Sequence, residues 1–303
     1  MIKPRYTKKP NDVSILKNKL INRKLICVSD PITDQALKYI GYYRLRGYLY
    51  PFYIMDFTDP RKPVPKEPKE FEPNTTIEDV LALYEFDRKL RLIILEEIQK
   101  VEVALRTCIS EHMCMKYDNA HWFMDMSIVS NNFNHQKFFE QISKAKEVFI
   151  QHYQKKYETP KYPPSWMIVE TLSFGAWSKV YNDLLSEDKK DIAREFNILS
   201  SEVLESWFHT LTHLRNLCAH HSRIWNRNFT VFKPRKYTQL QPHLDQGNTV
   251  YSRLAVLRYI SNQVSISNGM TLRLTQLFQN LPKNVTLEKM GFPENWEQNS
   301  LWQ

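Results

Sequence analysis

Glycine is scarce in this chain. Six of its 303 residues are Gly, where ordinary usage is about 7%. That scarcity argues against a Gly-rich phosphate loop, a collagen-like repeat and a turn-dense β protein. Cysteine is sparse too: Cys27, Cys108, Cys114 and Cys218 stand far apart with no CxxC pair. The spacing reads as buried thiols in a reducing cytosol rather than a disulfide framework. No run of about 18 uncharged apolar residues occurs, so no membrane span is expected. Met1–Pro10 carries Lys and Arg with no apolar run behind it, unlike a secretory signal. The expectation is a cytoplasmic protein with no membrane partner.

Positive charge is what the chain has in excess. Lys and Arg number 42 against 33 Asp and Glu, a formal charge of +9. Residues 1–30 supply +6 and residues 201–240 supply +4, and the remainder nearly cancels. Two basic regions on a neutral body form a local electrostatic footprint suited to phosphate-rich partners. The plainer alternative is a solvated basic tail and a solvated helix face. A hydrophobic share of 42% rules out a wholly disordered chain. The length suffices for one large core or two modest domains.

The apolar spacing predicts an all-α chain, mainly a helical bundle. Helices are expected over 11–28 and Thr33–Ile40. The segment Gly41–Tyr53, GYYRLRGYLYPFY, concentrates Tyr with Phe52, Arg44 and Arg46. Five prolines between Pro60 and Pro73 then predict an extended exposed loop. This loop divides an N-terminal basic, aromatic extension (1–73) from a helical domain (74–303) with a helical tail. Thr75–Asp79 resembles a capping signal, and no Pro or Gly interrupts 74–131. One long helix is therefore expected over about 77–117. Further helices are expected over 134–157, Ser165–Leu185 apart from Gly175, Glu187–Phe196 and from Ser200 to Ala219, then near 250–262 and 270–280.

The segment that concentrates chemistry is residues 205–228, ESWFHTLTHLRNLCAHHSRIWNRN. Asn216 and His220, four apart, share a helix face. Arg215 precedes His220 by five residues, about 140° around the axis. His moves protons near neutral pH. Arg holds phosphate bidentately and stabilises developing negative charge. Asn orients the His or a substrate hydroxyl. Together these groups suit cleavage of an RNA phosphodiester by its own 2′-hydroxyl, with no metal or other cofactor. The plain alternative is a helix C-terminus, where Arg and His are favoured by the macrodipole. His209 and His213 form HxxxH, without the Glu of HExxH or a CxxC pair, and read as packing or polar residues rather than metal ligands. Cys218 reads as a small buried residue, and Trp166, Trp177 and Trp207 as core.

Arg215-Asn216-Leu217-Cys218-Ala219-His220 fits the R-x4-H motif, in its RN-x3-H form, of HEPN domains. RNLCAHHSRIWNR together with the upstream GYYRLRGYLYPF resembles the Abi family, the abortive-infection proteins of the AbiD/AbiF type. Leu95–Ser110, LEEIQKVEVALRTCIS, is similar to the first bundle helix of that family. The resemblance implies a HEPN-like bundle and a ribonuclease of a bacterial phage-defence or toxin system. It implies Arg215, Asn216 and His220 as catalytic residues, paired with the same residues of a second subunit in a homodimer. It further implies RNA as substrate and as a structured small RNA stably bound, and it places Glu102 and Arg106 near the motif helix.

For RNA contacts the expectation is His221, Arg223, Arg227, Arg106, Arg44, Arg46 and the basic arm at 1–30. His221 reads equally as a surface neighbour. Glu102 and Arg106 read equally as an exposed i,i+4 pair. The Tyr-rich segment reads as a stacking platform for bases or as a clamp docking the N-terminal helices. The rival to a nuclease is a non-catalytic RNA-binding protein held in a ribonucleoprotein. A third reading is a protein-interaction or nucleotide-binding module.

Overall fold

The computed structural model describes residues 5–7, 9–27, 30–60, 62–265 and 269–303. Part of the basic arm, including Lys3 and Lys8, lies outside the described residues. The all-α expectation holds: the described chain is mainly helical, with one two-residue hairpin. It divides into two compact units. One comprises the described residues up to Lys89 with Leu277–Thr286, and the other runs over Leu90–Gln276 with Leu287–Gln303.

The first unit holds α1 (Val13–Asn22), α2 (Asp30–Gln35), a π-helical turn at Ala36–Gly41, α3 (Tyr42–Leu49) and the start of α4 (Ile77–Tyr117). Asp12 caps α1 by accepting from the Ile15 N–H. The Pro-rich loop is not extended throughout. Met55–Asp56 (β1) pairs antiparallel with Val64–Pro65 (β2), an edge ladder short enough to tolerate Pro. Thr76 and Asp79 exchange backbone-to-side-chain bonds at 2.9 and 3.2 Å, a reciprocal capping box. Tyr48, Leu49, Phe52 and Phe71 are buried with Val80 and Leu83.

The second unit is built on the rest of α4, whose Leu90, Ile94, Ile98, Val101, Leu105 and Ile109 are fully buried. Its other helices are α5 (His135–Ser143), α6 (Val148–Lys156), α7 (Ser165–Ile168), α8 (Phe174–Asn182), α9 (Ser186–Glu195), α10 (Ser201–Ala219), α11 (Val250–Val264) and α12 (Met270–Phe278), which ends in the first unit. The helix expected over 134–157 is two helices, with Glu147 at the cap position of the second. Ser165–Leu185 is also two, because Ser173 accepts from the Ala176 N–H and starts α8 afresh. Trp177 and Trp207 are fully buried core, but Trp166 is 60% exposed. It sits on α7, a single turn whose buried side is taken by Ser165 and Ile168. Of the four cysteines only Cys218 is buried and the others are half-buried.

α10 lies against α8, α9 and α11. Leu204, Trp207, Phe208, Leu211 and Leu214 recur along it at three- and four-residue steps and are fully buried. That apolar stripe fixes the rotation of the helix. The rotation in turn decides where Arg215, Asn216 and His220 emerge.

Candidate functional site

α10 starts at Ser200, whose hydroxyl accepts from the Val203 N–H. It stops at His220, the C-cap. The stop is a Schellman motif: the Ser222 N–H donates to the Leu217 carbonyl (2.9 Å) and the His221 N–H to the Cys218 carbonyl (3.0 Å). His221 occupies the left-handed position with φ 56°, where Gly is usual and a side chain costs roughly 1 kcal/mol. Buried Cys218 anchors the last turn from inside, while Asn216, His220 and His221 are exposed. The buried Arg91 of α4 donates to the Ser222 carbonyl at 3.5 Å and braces the turn from below.

Arg215 is held from α4. Its Nε lies 3.5 Å from Oε2 of Glu102, and its Nη1 donates to Asn216 Oδ1 at 3.2 Å. Oε1 of the same carboxylate lies 3.5 Å from Nη2 of Arg106. Glu102 is therefore a buried carboxylate between two guanidiniums rather than half of an exposed pair. At 3.5 Å these contacts are ion pairs, longer than the 2.7–2.9 Å typical of a charge-assisted hydrogen bond. Arg106 also donates to the carbonyls of Glu102, Val169 and Leu172. Its donors are largely spent on the fold, whereas the Arg215 side chain is 34% exposed.

Beyond the turn, Ile224, Trp225 and Phe229 are buried and pin the chain. Beside these anchors Arg223 and Arg227 stay half-exposed. The Arg223 guanidinium stands 6.0 Å from the Trp225 ring, and Arg227 stands 5.9 Å from Phe229. The segment returns to α11 through Arg253, a fully buried arginine 3.8 Å over the Phe229 ring. Arg253 donates to the carbonyls of Gly247, Thr249, Val231 and Phe232. Burial pulls its guanidinium down to about 10, with Arg227 adding to the effect. Phe232 has φ 51°, and its carbonyl also accepts from the Thr210 hydroxyl. His209 and His213 face this segment: their rings stand 6.2 and 5.3 Å from that of Phe232. Burial, then Arg253 and Arg227, lower the His213 pKa.

The sequence candidates thus fall into groups. Arg215, Asn216, His220 and His221 cluster at one helix end, with Arg106 joined to them through Glu102. Arg223 and Arg227 follow directly along the chain. Arg44 and Arg46 are exposed on α3 in the first unit. Sequence reasoning paired Glu102 with Arg106 but did not connect it to Arg215, and it passed over Arg91 and Arg253. The i,i+4 spacing to Arg106, and the resemblance that sets the first bundle helix near the motif helix, were the signals for Glu102. Nothing local signals Arg91, whose partner is over a hundred residues away; Arg253 reaches Thr249 and Gly247 four and six residues back, but Val231 and Phe232 about twenty.

No curated protein and no solved structure matches the chain. The family described as Abi-like protein matches residues 35–226. That range opens just before the Tyr-rich segment, takes in Glu102 and Arg106, and closes beyond His220, so the whole helix end lies inside it. More than half of the chain is covered, and the chain belongs to the Abi-like protein family.

Proposed function

We propose that this protein is a metal-independent endoribonuclease of HEPN type, acting in bacterial abortive infection. The observation that carries the reading is the end of α10. Arg215 is aligned there by buried Glu102, while Asn216 and His220 emerge exposed on the final turn. In this reading an RNA phosphate meets the outer edge of Arg215, which stabilises the charge that builds on the phosphoryl oxygens. His220 takes the proton of the 2′-hydroxyl, whose oxygen attacks the neighbouring phosphorus. The bond to the 5′-oxygen breaks, and that oxygen needs a proton from an acid on the far side. One His cannot stand on both sides at once, so a second copy of the helix end supplies the other imidazole. The products are a 2′,3′-cyclic phosphate and a 5′-hydroxyl. Asn216 holds Arg215 through its side-chain oxygen and leaves its amide N–H groups for the substrate.

The test is cleavage of labelled RNA in the presence of EDTA, with the ends of the fragments identified. His220→Ala and Arg215→Ala should each lose about 10²–10⁴-fold in rate with their circular dichroism unchanged. Cleavage by both variants at the parent rate overturns the assignment. A second reading is favoured by the Glu102–Arg215 pair itself: an arginine held in place by its own chain, with donors to spare, suits a static RNA contact. In that case one structured RNA copurifies uncut with parent and variants alike.

A further inference from the structure

The Tyr-rich segment divides in two on α3. Tyr48 is buried, donates to Asp87 Oδ2 at 2.7 Å and meets Tyr84 edge-on. Tyr53 stacks on Phe71 and accepts from Arg23 at 3.0 Å. These rings, with Leu45, Leu49 and Phe52, are core. Tyr39 and Tyr43 are not: they are 76% and 86% exposed, and Tyr50 is 44% exposed. Tyr43, Arg46 and Tyr50 are spaced i, i+3 and i+7, one face of the helix. Gly41, with φ 88°, sets the bend between the π-helical turn bearing Tyr39 and α3 bearing Tyr43.

Along the chain, the charge next to these rings has one sign. Residues 36–50 contain Lys38, Arg44 and Arg46 and no Asp or Glu. Arg44 and Arg46 are exposed, and Lys38 Nζ stands 5.2 Å from the Tyr39 ring. A tyrosine left three-quarters or more in water makes no packing contribution that would account for it. Two such rings flanked by three cations are complementary to a polyanion that carries flat, apolar faces. We propose that this face of the first unit binds single-stranded RNA. Tyr39 and Tyr43 stack on unpaired bases, and Lys38, Arg44 and Arg46 hold the adjoining phosphates. A paired duplex offers the cations its phosphates but hides its base faces, so the tyrosines select unpaired RNA. The proposal rests on the RNA reading of the second unit for its choice of polynucleotide, but not on cleavage.

The test uses the full chain carrying His220→Ala, so that RNA stays intact and affinity is read without turnover. Binding of a fluorescein-labelled single-stranded 12-mer RNA is compared with a hairpin duplex and with single-stranded DNA of the same sequence. Tyr43→Ala and Tyr39→Ala should each weaken single-strand RNA binding about 5- to 150-fold. They should leave duplex binding within about twofold, and Tyr43→Phe should restore the affinity. Arg44→Ala and Arg46→Ala should each lower the slope of log affinity against log salt by about one. The proposal is overturned if the tyrosine variants bind the 12-mer as the parent does. Equal losses on the duplex, or a preference for DNA of more than tenfold, overturn it too. The outcomes separate from those of the nuclease reading. A chain that never cleaves RNA yet loses affinity at Tyr43 sinks the nuclease and keeps this face. A chain that cleaves through His220 with unaltered affinity at Tyr39 and Tyr43 does the reverse.

Discussion

At the end of α10, Arg215 is one-third exposed and faces a carboxylate, Glu102. On α11, Arg253 is fully buried and faces four backbone carbonyls and the ring of Phe229. Both guanidiniums belong to the second unit, and they do different work. Carbonyls deliver partial negative charge from a backbone that has nowhere to go, so Arg253 ties three stretches of chain into one piece. A carboxylate on a rotatable side chain aligns Arg215 without using all of its donors. The difference teaches that a count of positive charge does not measure what is available to a partner. Of the basic residues near the site, Arg91, Arg106 and Arg253 are largely consumed by the fold, while Arg215, Arg223 and Arg227 keep part of their surface.

The comparison can be broken at its buried end first. Arg253→Met keeps the bulk but removes the carbonyl bonds, and should destabilise the protein by about 2–4 kcal/mol in urea unfolding. RNA affinity per folded molecule should stay the same. A variant as stable as the parent would deny the difference between the two arginines. At the other end, Glu102→Gln keeps the shape and removes the charge. Cleavage should fall about tenfold as Arg215 loses its alignment, and RNA affinity should rise modestly because a carboxylate no longer competes with phosphate. Falling affinity together with falling cleavage would make Glu102 a mere packing residue. Arg223→Ala, at the half-exposed margin, should lower the salt slope of RNA binding by about one and change unfolding by less than about 0.5 kcal/mol. The smallest effect concerns pH. Burial, with Arg253 and Arg227 nearby, lowers the His213 pKa, and burial lowers those of His121 and His243. The unfolded chain therefore binds more protons than the folded one, and stability should drop as pH falls through about 6.5. His213→Phe should make that drop shallower in unfolding curves taken between pH 5 and 8.

Much of this fold was legible because its signals are local. The capping box at Thr76 and Asp79 and the absence of Pro and Gly marked out α4, which spans Ile77–Tyr117 as expected. Ser200 announced α10. The break within 134–157 was hidden because the segment carries no Gly or Pro, and within 165–185 the exception expected at Gly175 falls inside α8, whose start is set two residues earlier by Ser173. Burial within the Tyr-rich segment was hidden for another reason. Tyr48 and Tyr53 are core because of Asp87 and Phe71, which lie 39 and 18 residues further along the chain. At the candidate site, the spacing of Arg215, Asn216 and His220 placed them on one helix end. The link from Arg215 to Glu102 crosses 113 residues, and no periodicity reports it.

The stop after α10 also works as a ruler. His220 is the last residue carried by the helix ladder, and Arg215 is tied to α4 five residues earlier. One residue inserted between them would turn the imidazole by 100° about the axis and advance it by 1.5 Å. Yet the buried stripe that seats α10 would be left almost untouched. Reading frame and rotation are thus locked together here. Point substitutions at Leu217 or Ala219 perturb only composition, whereas a single-residue insertion or deletion resets the phase of the histidine against the arginine.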